Sequence, residues 1–404
     1  MQANGNQCSS SNIYNIMTSR RLSRRSEELS PFHVMDILAR AKALSQQGKT
    51  VYHLEIGEPD FATAEPIVDA GIEALKQLKT HYTPALGLPE LRDAVAEYYD
   101  RKFSININPQ RIIITPGASG ALQLAISCLC DAGDNVLLAD PGYPCNQNIA
   151  HILATETIAI PVSAENYYQL DATSVAQHWN GRTRAAMVAT PSNPTGTIMP
   201  KQQLISLSEL VERKQGRLIV DEIYQGLVYE NEDYTALEVS DECFVINSFS
   251  KYFGMTGWRV GWMVVPEYYV DAIDRIAQNI FLAPPTISQY AALTALKAET
   301  QVILDARRDE FKRRRDFLLP ALQQLGFDIA VKPLGAFYIY ANCERFTDDS
   351  FSWVKRLLTE QGVALTPGID FGTHQANIHC RFAYTQSLEK LEQAIDRINA
   401  FISK

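Results

Sequence analysis

Five short apolar runs, each ending in a polar turn, constrain this chain more than anything else in it. They are RIIIT (Arg111 to Thr115), NVLLA (Asn135 to Ala139), RAAMVA (Arg184 to Ala189), GRLIVDE (Gly216 to Glu222) and CFVINSFS (Cys243 to Ser250). Their residues are rich in β-branching and do not alternate with polar ones, and helical patterns lie between them. A strand that is apolar on both sides must be covered on both faces. The runs therefore predict an α/β architecture, a mainly parallel sheet sandwiched by helices.

From about Pro284 the pattern changes to one long amphipathic helix, TISQYAALTALKAETQVILDARRDEFKRRRDFLL, in which Leu304, Phe311 and Leu318 share a face and Pro320 should kink or end the helix. FDIAVKP, GAFYIYA and IHCRFAY read as strands, and SFSWVKRLLTEQG as a helix. This is a smaller α+β domain, formed by the N- and C-terminal parts, on which the helix VMDILARAKALSQQG should pack. At 404 residues the chain exceeds one small core. The expected division is a flexible arm over residues 1–28, a segment over 29–50 packing on the smaller domain, a large domain over 51–290 and the small C-terminal domain over 291–404.

Charge and composition exclude several classes. A net charge of −9 is wrong for a protein whose main partner is nucleic acid. RRDEFKRRR mixes in acids at helical spacing and reads as a solvated face. The seven cysteines have no metal-ligand spacing. Together with His374 and His379, which read as a loop and a strand histidine, they give no metal site and point to free thiols in a reducing, cytoplasmic setting. No apolar run is long enough to span a bilayer. The N-terminus is polar, then basic, and lacks the apolar middle of a secretory signal. It reads as an untethered arm, with an organelle transit peptide as the alternative and Met17 as a second candidate start.

In open parallel sheets ligands bind beyond the carboxyl ends of the strands, so the residues after each run matter most. RIIIT is followed by Pro116-Gly117-Ala118-Ser119-Gly120 opening a helix, whose free N–H groups suit an anion, though the same residues also serve as simple caps. After NVLLA comes a turn that presents Tyr143, after RAAMVA a rigid turn that aims Asn193, and after RLIV come Asp221 and Tyr224. CFVIN leads to Ser248, Ser250 and Lys251, a lone lysine in NSFSKYFGMTGWRVGW with no acid in that stretch and Arg259 eight residues on. A buried ammonium is costly unless paired or neutral. One ligand unites the set. Its phosphate takes Ala118, Ser119, Ser248 and Arg259, its flat ring stacks on Tyr143, and its protonated ring nitrogen needs Asp221. Its phenolate oxygen takes Asn193 and Tyr224, and its aldehyde takes the amine of Lys251. That ligand is pyridoxal 5'-phosphate.

With these residues in place, the chain resembles the class I and II aminotransferases of the fold-type I pyridoxal-phosphate family. SFSKYFGMTGWRVGW is similar to the family's lysine signature, and PSNPTG and DEIY to two further hallmark turns. The likeness runs from PFHVMDILARA to IHCRFAY. It implies that Lys251 is the Schiff-base lysine and that Asp221, Tyr224 and Asn193 tune the ring. It further implies that Arg381, assisted by the Gly57 backbone, holds the substrate carboxylate, and that Tyr82 reaches the phosphate of a neighbouring subunit in a homodimer with shared active sites. The implied reaction moves an amino group from an L-amino acid to a 2-oxo acid with ping-pong kinetics. A carbon–sulfur β-lyase on the same scaffold is the alternative. Relatives of this fold that act as regulators carry a DNA-binding domain ahead of it, and the arm here shows no helix-turn-helix. The apolar PFHVM segment is expected at the pocket mouth, where it favours a neutral or aromatic amino acid.

Overall fold

All five apolar runs become strands of one sheet in the computed structural model, which describes residues 22–29, 32–230 and 233–403. They form β1 (Ile112–Thr115), β2 (Asn135–Asp140), β4 (Thr183–Ala189), β5 (Arg217–Asp221) and β6 (Phe244–Ser248). Two strands not counted among the runs complete the sheet, the edge strand β3 (Glu156–Pro161) and β7 (Gly261–Val264). The order is β1-β7-β6-β5-β4-β2-β3, all parallel except β7, which runs antiparallel to both its neighbours. β3 pairs on one side only, and most of it is partly or fully exposed. Its pattern is accordingly weaker than that of the central strands.

Side chains alternate between two apolar cores, as a sheet covered on both faces requires. Ile113, Val136, Met187, Ile219 and Ile246 point to one core, where they meet the helices Gly117–Leu129 and Val270–Ile280. Ile112, Ile114, Leu137, Val188, Leu218 and Val245 point to the other. There they meet Leu91 and Val95 of the helix Pro89–Phe103, and Leu204 and Leu207 of Lys201–Arg213.

The rest of this unit, which spans Phe32 to Lys404, is built around a three-stranded antiparallel sheet. Its strands are β8 (Tyr338–Asn342), β9 (Thr366–Pro367) and β10 (His379–Ala383), in the order β9-β10-β8. The helix Ser350–Gln361 is capped by the Asp349 side chain and stopped by Gly362 in the left-handed region. The N-terminal helix His33–Gln46 joins this part: both oxygens of Asp370 accept its first N–H groups, from His33 and Val34, at 2.7 Å. Of the N-terminal arm, the described part is the short helix Arg24–Glu28 with Ser23 as its cap. Met17 and the start of the arm lie outside the described residues.

Two expectations are corrected and a third is narrowed. The long amphipathic stretch is two helices, Thr286–Ala295 and Ala298–Leu325. The Leu296 carbonyl between them accepts from Arg101 Nη2 at 2.7 Å and Gln301 Nε2 at 3.2 Å rather than from the next turn. Pro320 does not end the second helix, which continues to Leu325 and stops at the left-handed Gly326. A proline inside a helix costs about 3 kcal/mol. Leu318 and Leu322, fully buried on either side of it, each recover roughly 1.5–3 kcal/mol. FDIAVKP is not a strand: Asp328 alone bridges to Asn342, and the Pro333 carbonyl is taken by Arg315 Nη1 at 2.9 Å. Leu304, Phe311 and Leu318 do share a buried face. Phe311 lies between Phe61 and Phe337, 5.4 Å from each ring. Phe311→Ala should destabilise the fold by about 3–5 kcal/mol, read as a lower urea midpoint at unchanged slope.

Candidate active site

Parallel strands all end at one edge of the sheet, and an antiparallel strand begins there. Because Gly261 of β7 pairs with Thr115 and Ser248, the terminal residues of β1 and β6, Arg259 arrives at the edge where the strand-end turns converge. A cavity of about 340 Å³ opens at that edge, within the range of small-molecule sites. Of the sequence-predicted residues, the cavity brings together Gly57, Ala118, Ser119, Tyr143, Asn193, Asp221, Tyr224, Lys251, Arg259 and Arg381.

Lys251 reaches into the cavity, its Nζ donating to the Gly57 carbonyl at 2.6 Å and lying 5.9 Å from the Tyr224 ring centroid. Burial drops its ammonium to about 8; Arg381 and Arg259 push the same way while Glu58 and Asp221 oppose. Asp221, the last residue of β5, is buried, and its Oδ1 accepts from the Ile223 N–H at 3.0 Å. Burial raises this carboxyl to about 6, moderated by that N–H and by Lys251. At neutral pH the site therefore pairs a carboxylate suited to a protonated ring nitrogen with an amine close to losing its proton. Burial pushes the Tyr224 hydroxyl well up, so it stays a donor.

The anion end of the cavity is the start of the helix Gly117–Leu129, where first-turn N–H groups lack helical partners. Gly117 has φ +72° and a Cβ there would stand 2.6 Å from Arg259 Nη2, so glycine lets the guanidinium approach the helix N-terminus. Arg259 is steadied by a 3.0 Å bond from Nη1 to the Thr256 carbonyl.

Arg381, in β10, sits at the other end. Its Nη1 donates to Asn193 Oδ1 at 2.8 Å, and its Nη2 to the Glu55 carbonyl at 2.6 Å and Thr366 Oγ1 at 3.2 Å. Its Nε is buried without a partner among the described residues. The guanidinium as a whole lines the cavity with N–H groups to spare, and a cation there suits a carboxylate. The guanidinium lies over the Tyr338 ring, 4.2 Å from its centroid, and the Tyr338 and Tyr224 hydroxyls share a 2.8 Å hydrogen bond. A Cβ on Gly57 would meet the Tyr338 hydroxyl at 2.2 Å, so residue 57 has to be glycine for this packing.

Two predicted residues fall outside the cavity wall. Ser248 is buried and its Oγ donates to Ser250 Oγ at 2.9 Å and to the Val260 carbonyl at 3.3 Å. Ser250 and Thr256 line the cavity beside it, and Ser248 closes the strand and props Ser250. Tyr82 is 85% exposed and away from this chain's own cavity. Tyr338 and Phe371, a second ring beside Arg381 at 4.9 Å, were missed. The run GAFYIYA marks Tyr338 as a strand residue but carries no sign of its partners. Among the described residues no group of His, Cys, Asp and Glu is arranged to hold a metal ion, and no helix is long and apolar enough to cross a membrane.

The residues fit pyridoxal phosphate on the chemistry of the donor set alone: an anion cup at one end, an amine of lowered pKa, a buried carboxylate beneath, and a half-satisfied arginine opposite. Comparison with known proteins agrees. The chain matches the family described as aminotransferase class I and II over residues 49–398. It is 39% identical to a (5-formylfuran-3-yl)methyl phosphate transaminase of Methanocaldococcus jannaschii, over 95% of this chain and 100% of that protein. It is 38% identical to a valine–pyruvate aminotransferase of Mycobacterium tuberculosis, over 92% of this chain and 96% of that protein. An aminotransferase crystal structure from Mycobacterium tuberculosis superposes with a TM-score of 0.92 at 36% identity, covering 95% of this chain and 100% of that one.

A lowered amine pKa has a kinetic signature. The rate at which cofactor-free protein captures pyridoxal phosphate should rise with pH through about 8, as Lys251 loses its proton, and level off above it. Stopped-flow absorbance checks this; a midpoint near the ordinary lysine value of 10.5 would contradict the burial of the amine.

Proposed function

The chain belongs to the class I and II aminotransferases, and from that premise we propose how its residues divide the work of a pyridoxal-phosphate-dependent transamination. The overall reaction moves an amino group from an amino acid to a 2-oxo acid, and the lyase alternative is not favoured. The observation that carries the assignment of roles is the convergence of Lys251, Asp221 and Arg381 on one cavity.

When bound, the cofactor supplies an aldehyde for an amine and an electron sink for the substrate α-carbon. Lys251 Nζ would anchor it covalently and, once freed by the substrate amine, would act as the base that takes the substrate α-proton. Asp221 holds the ring nitrogen protonated, which keeps the sink strong. Tyr224 and Asn193 hold the ring oxygen, and Tyr143 stacks on the ring. First-turn N–H groups at Ala118 and Ser119, with Ser250, Thr256 and Arg259, hold the phosphate. Arg381 binds the α-carboxylate beside Gly57, with Asn193 and Thr366 fixing the guanidinium and Tyr338 beneath it. Tyr338 is a positioning residue that links the arginine to Tyr224.

The same reading makes the enzyme a homodimer with shared active sites, in which Tyr82 completes the phosphate cup of the partner. In support, Tyr82, Leu78 and Leu282 are exposed on neighbouring segments joined by a 2.8 Å bond from Thr286 Oγ1 to the His81 carbonyl. We divide the chain by role into a cofactor-carrying part over residues 51–290 and a smaller part made of 29–50 and 291–404. Support comes from the seven-stranded sheet in the first and the Asp370 contacts to the helix His33–Gln46 in the second. Six unbridged cysteines among the described residues support a reducing, cytoplasmic setting.

Lys251→Ala should lower kcat by at least about 10³-fold and remove the visible band of the loaded enzyme. Near-normal turnover in that variant would remove Lys251 from the chemistry. Arg381→Ala should raise KM for the amino donor roughly 10- to 100-fold with a smaller change in kcat. Tyr82→Phe should weaken cofactor retention in a protein that sediments as a dimer, and full retention in a monomer would contradict the shared site.

A further inference from the structure

Resting on the assignment of Arg381 to the α-carboxylate and Arg259 to the phosphate, we propose that this transaminase takes amino acids and 2-oxo acids with uncharged side chains. It discriminates against those that carry a second anionic group. Among the described residues, the cations lining the cavity are Lys251, Arg259 and Arg381. The first is the amine that anchors the cofactor. Arg259 stands at the helix N-terminus, against Gly117. Arg381 uses one Nη1 N–H on Asn193 and both Nη2 N–H groups on Glu55 and Thr366, so its remaining donors suffice for one carboxylate and no more. No lining cation is left for a second carboxylate or a phosphate on the substrate.

The wall by the N-terminal helix is apolar, and the polar groups lining the rest, among them Asn146, Cys145 and Glu55, add no positive charge. Phe32, Val34, Met35 and Leu38 come from one face of the N-terminal helix and the residue before it, and Ile149 and Phe371 from other elements. The acid on this side, Asp370, also lines the cavity, and both its oxygens accept from the first turn of that helix. A distal carboxylate bound here would leave water for a wall with no charged donor and with a charge of its own sign nearby. An apolar side chain would gain by the same transfer. Beside Tyr82, Lys79 Nζ lies over the Tyr290 ring of its own chain, 4.4 Å from its centroid. Both half-reactions use one site, so the discrimination covers donors and acceptors alike.

The test uses the enzyme loaded with pyridoxal phosphate and one amino acid at a time, with no acceptor, following loss of the visible band. L-leucine, L-methionine or L-phenylalanine should react with a kcat/KM roughly 10²-fold or more above that of L-aspartate and L-glutamate, the penalty expected for an uncompensated charge. In the return reaction pyruvate should outrun oxaloacetate and 2-oxoglutarate by a similar factor. Met35→Arg, at the exposed rim of the wall, should narrow the leucine-to-aspartate ratio at least tenfold, mainly through the KM for aspartate. Aspartate, glutamate or a phosphorylated substrate reacting as well as the best neutral donor overturns the inference and leaves the transaminase assignment standing. An unmoved ratio in Met35→Arg overturns the role of this wall. A band that no amino acid changes overturns the transaminase assignment itself.

Discussion

The structure turns on a partly buried primary amine at the edge of a parallel sheet. Burial lowers Lys251 to about 8, which makes it useful as a nucleophile and a base near neutral pH. An amine in that position would be a liability in a protein with no use for it. Much of the surrounding architecture serves to hold it there: strands covered on both faces, turns rich in Gly, Pro, Ser and Asn, and a carboxyl end where those turns meet.

The two ends of the cavity are built differently. Within one chain the anion end is drawn from the large sheet, through the helix start at Gly117, the Ser250 turn and Arg259 ahead of β7. β7 runs against its neighbours, so it begins where they finish and delivers a cation to their common edge. The substrate end depends on the second sheet. Arg381 in β10 pairs with Tyr340 of β8 and Thr366 of β9 in register. Its side chain crosses to Asn193, in the turn after β4 of the large sheet. Arg381, Asn193, Tyr338 and Tyr224 thus form one chain of contacts between the two sheets.

The sequence was most legible where function is written in local chemistry. Apolar runs followed by a polar tip located the strands, and the tips gathered into a cavity because parallel strands share an end. Legibility failed where the answer lay far along the chain. The break at Leu296 depends on Arg101, 195 residues away, and no local pattern reveals it. Tyr338 looks like any strand tyrosine until folding places it under Arg381. Ser248 and Ser250 differ only in where the strand stops: Ser248 still pairs with Gly261, while Ser250 has turned into the cavity. Pro320 sits inside its helix because the buried leucines on either side of it offset the cost that propensity alone assigns.

The central claim, a lysine anchoring the cofactor at the sheet edge, is tested most directly by chemistry on the intact enzyme. The loaded protein is reduced with borohydride, digested, and its peptides sequenced by mass spectrometry. The account predicts a single pyridoxyl-phosphate adduct on Lys251. An adduct on a different lysine, or none at all in a protein that transaminates, would contradict it.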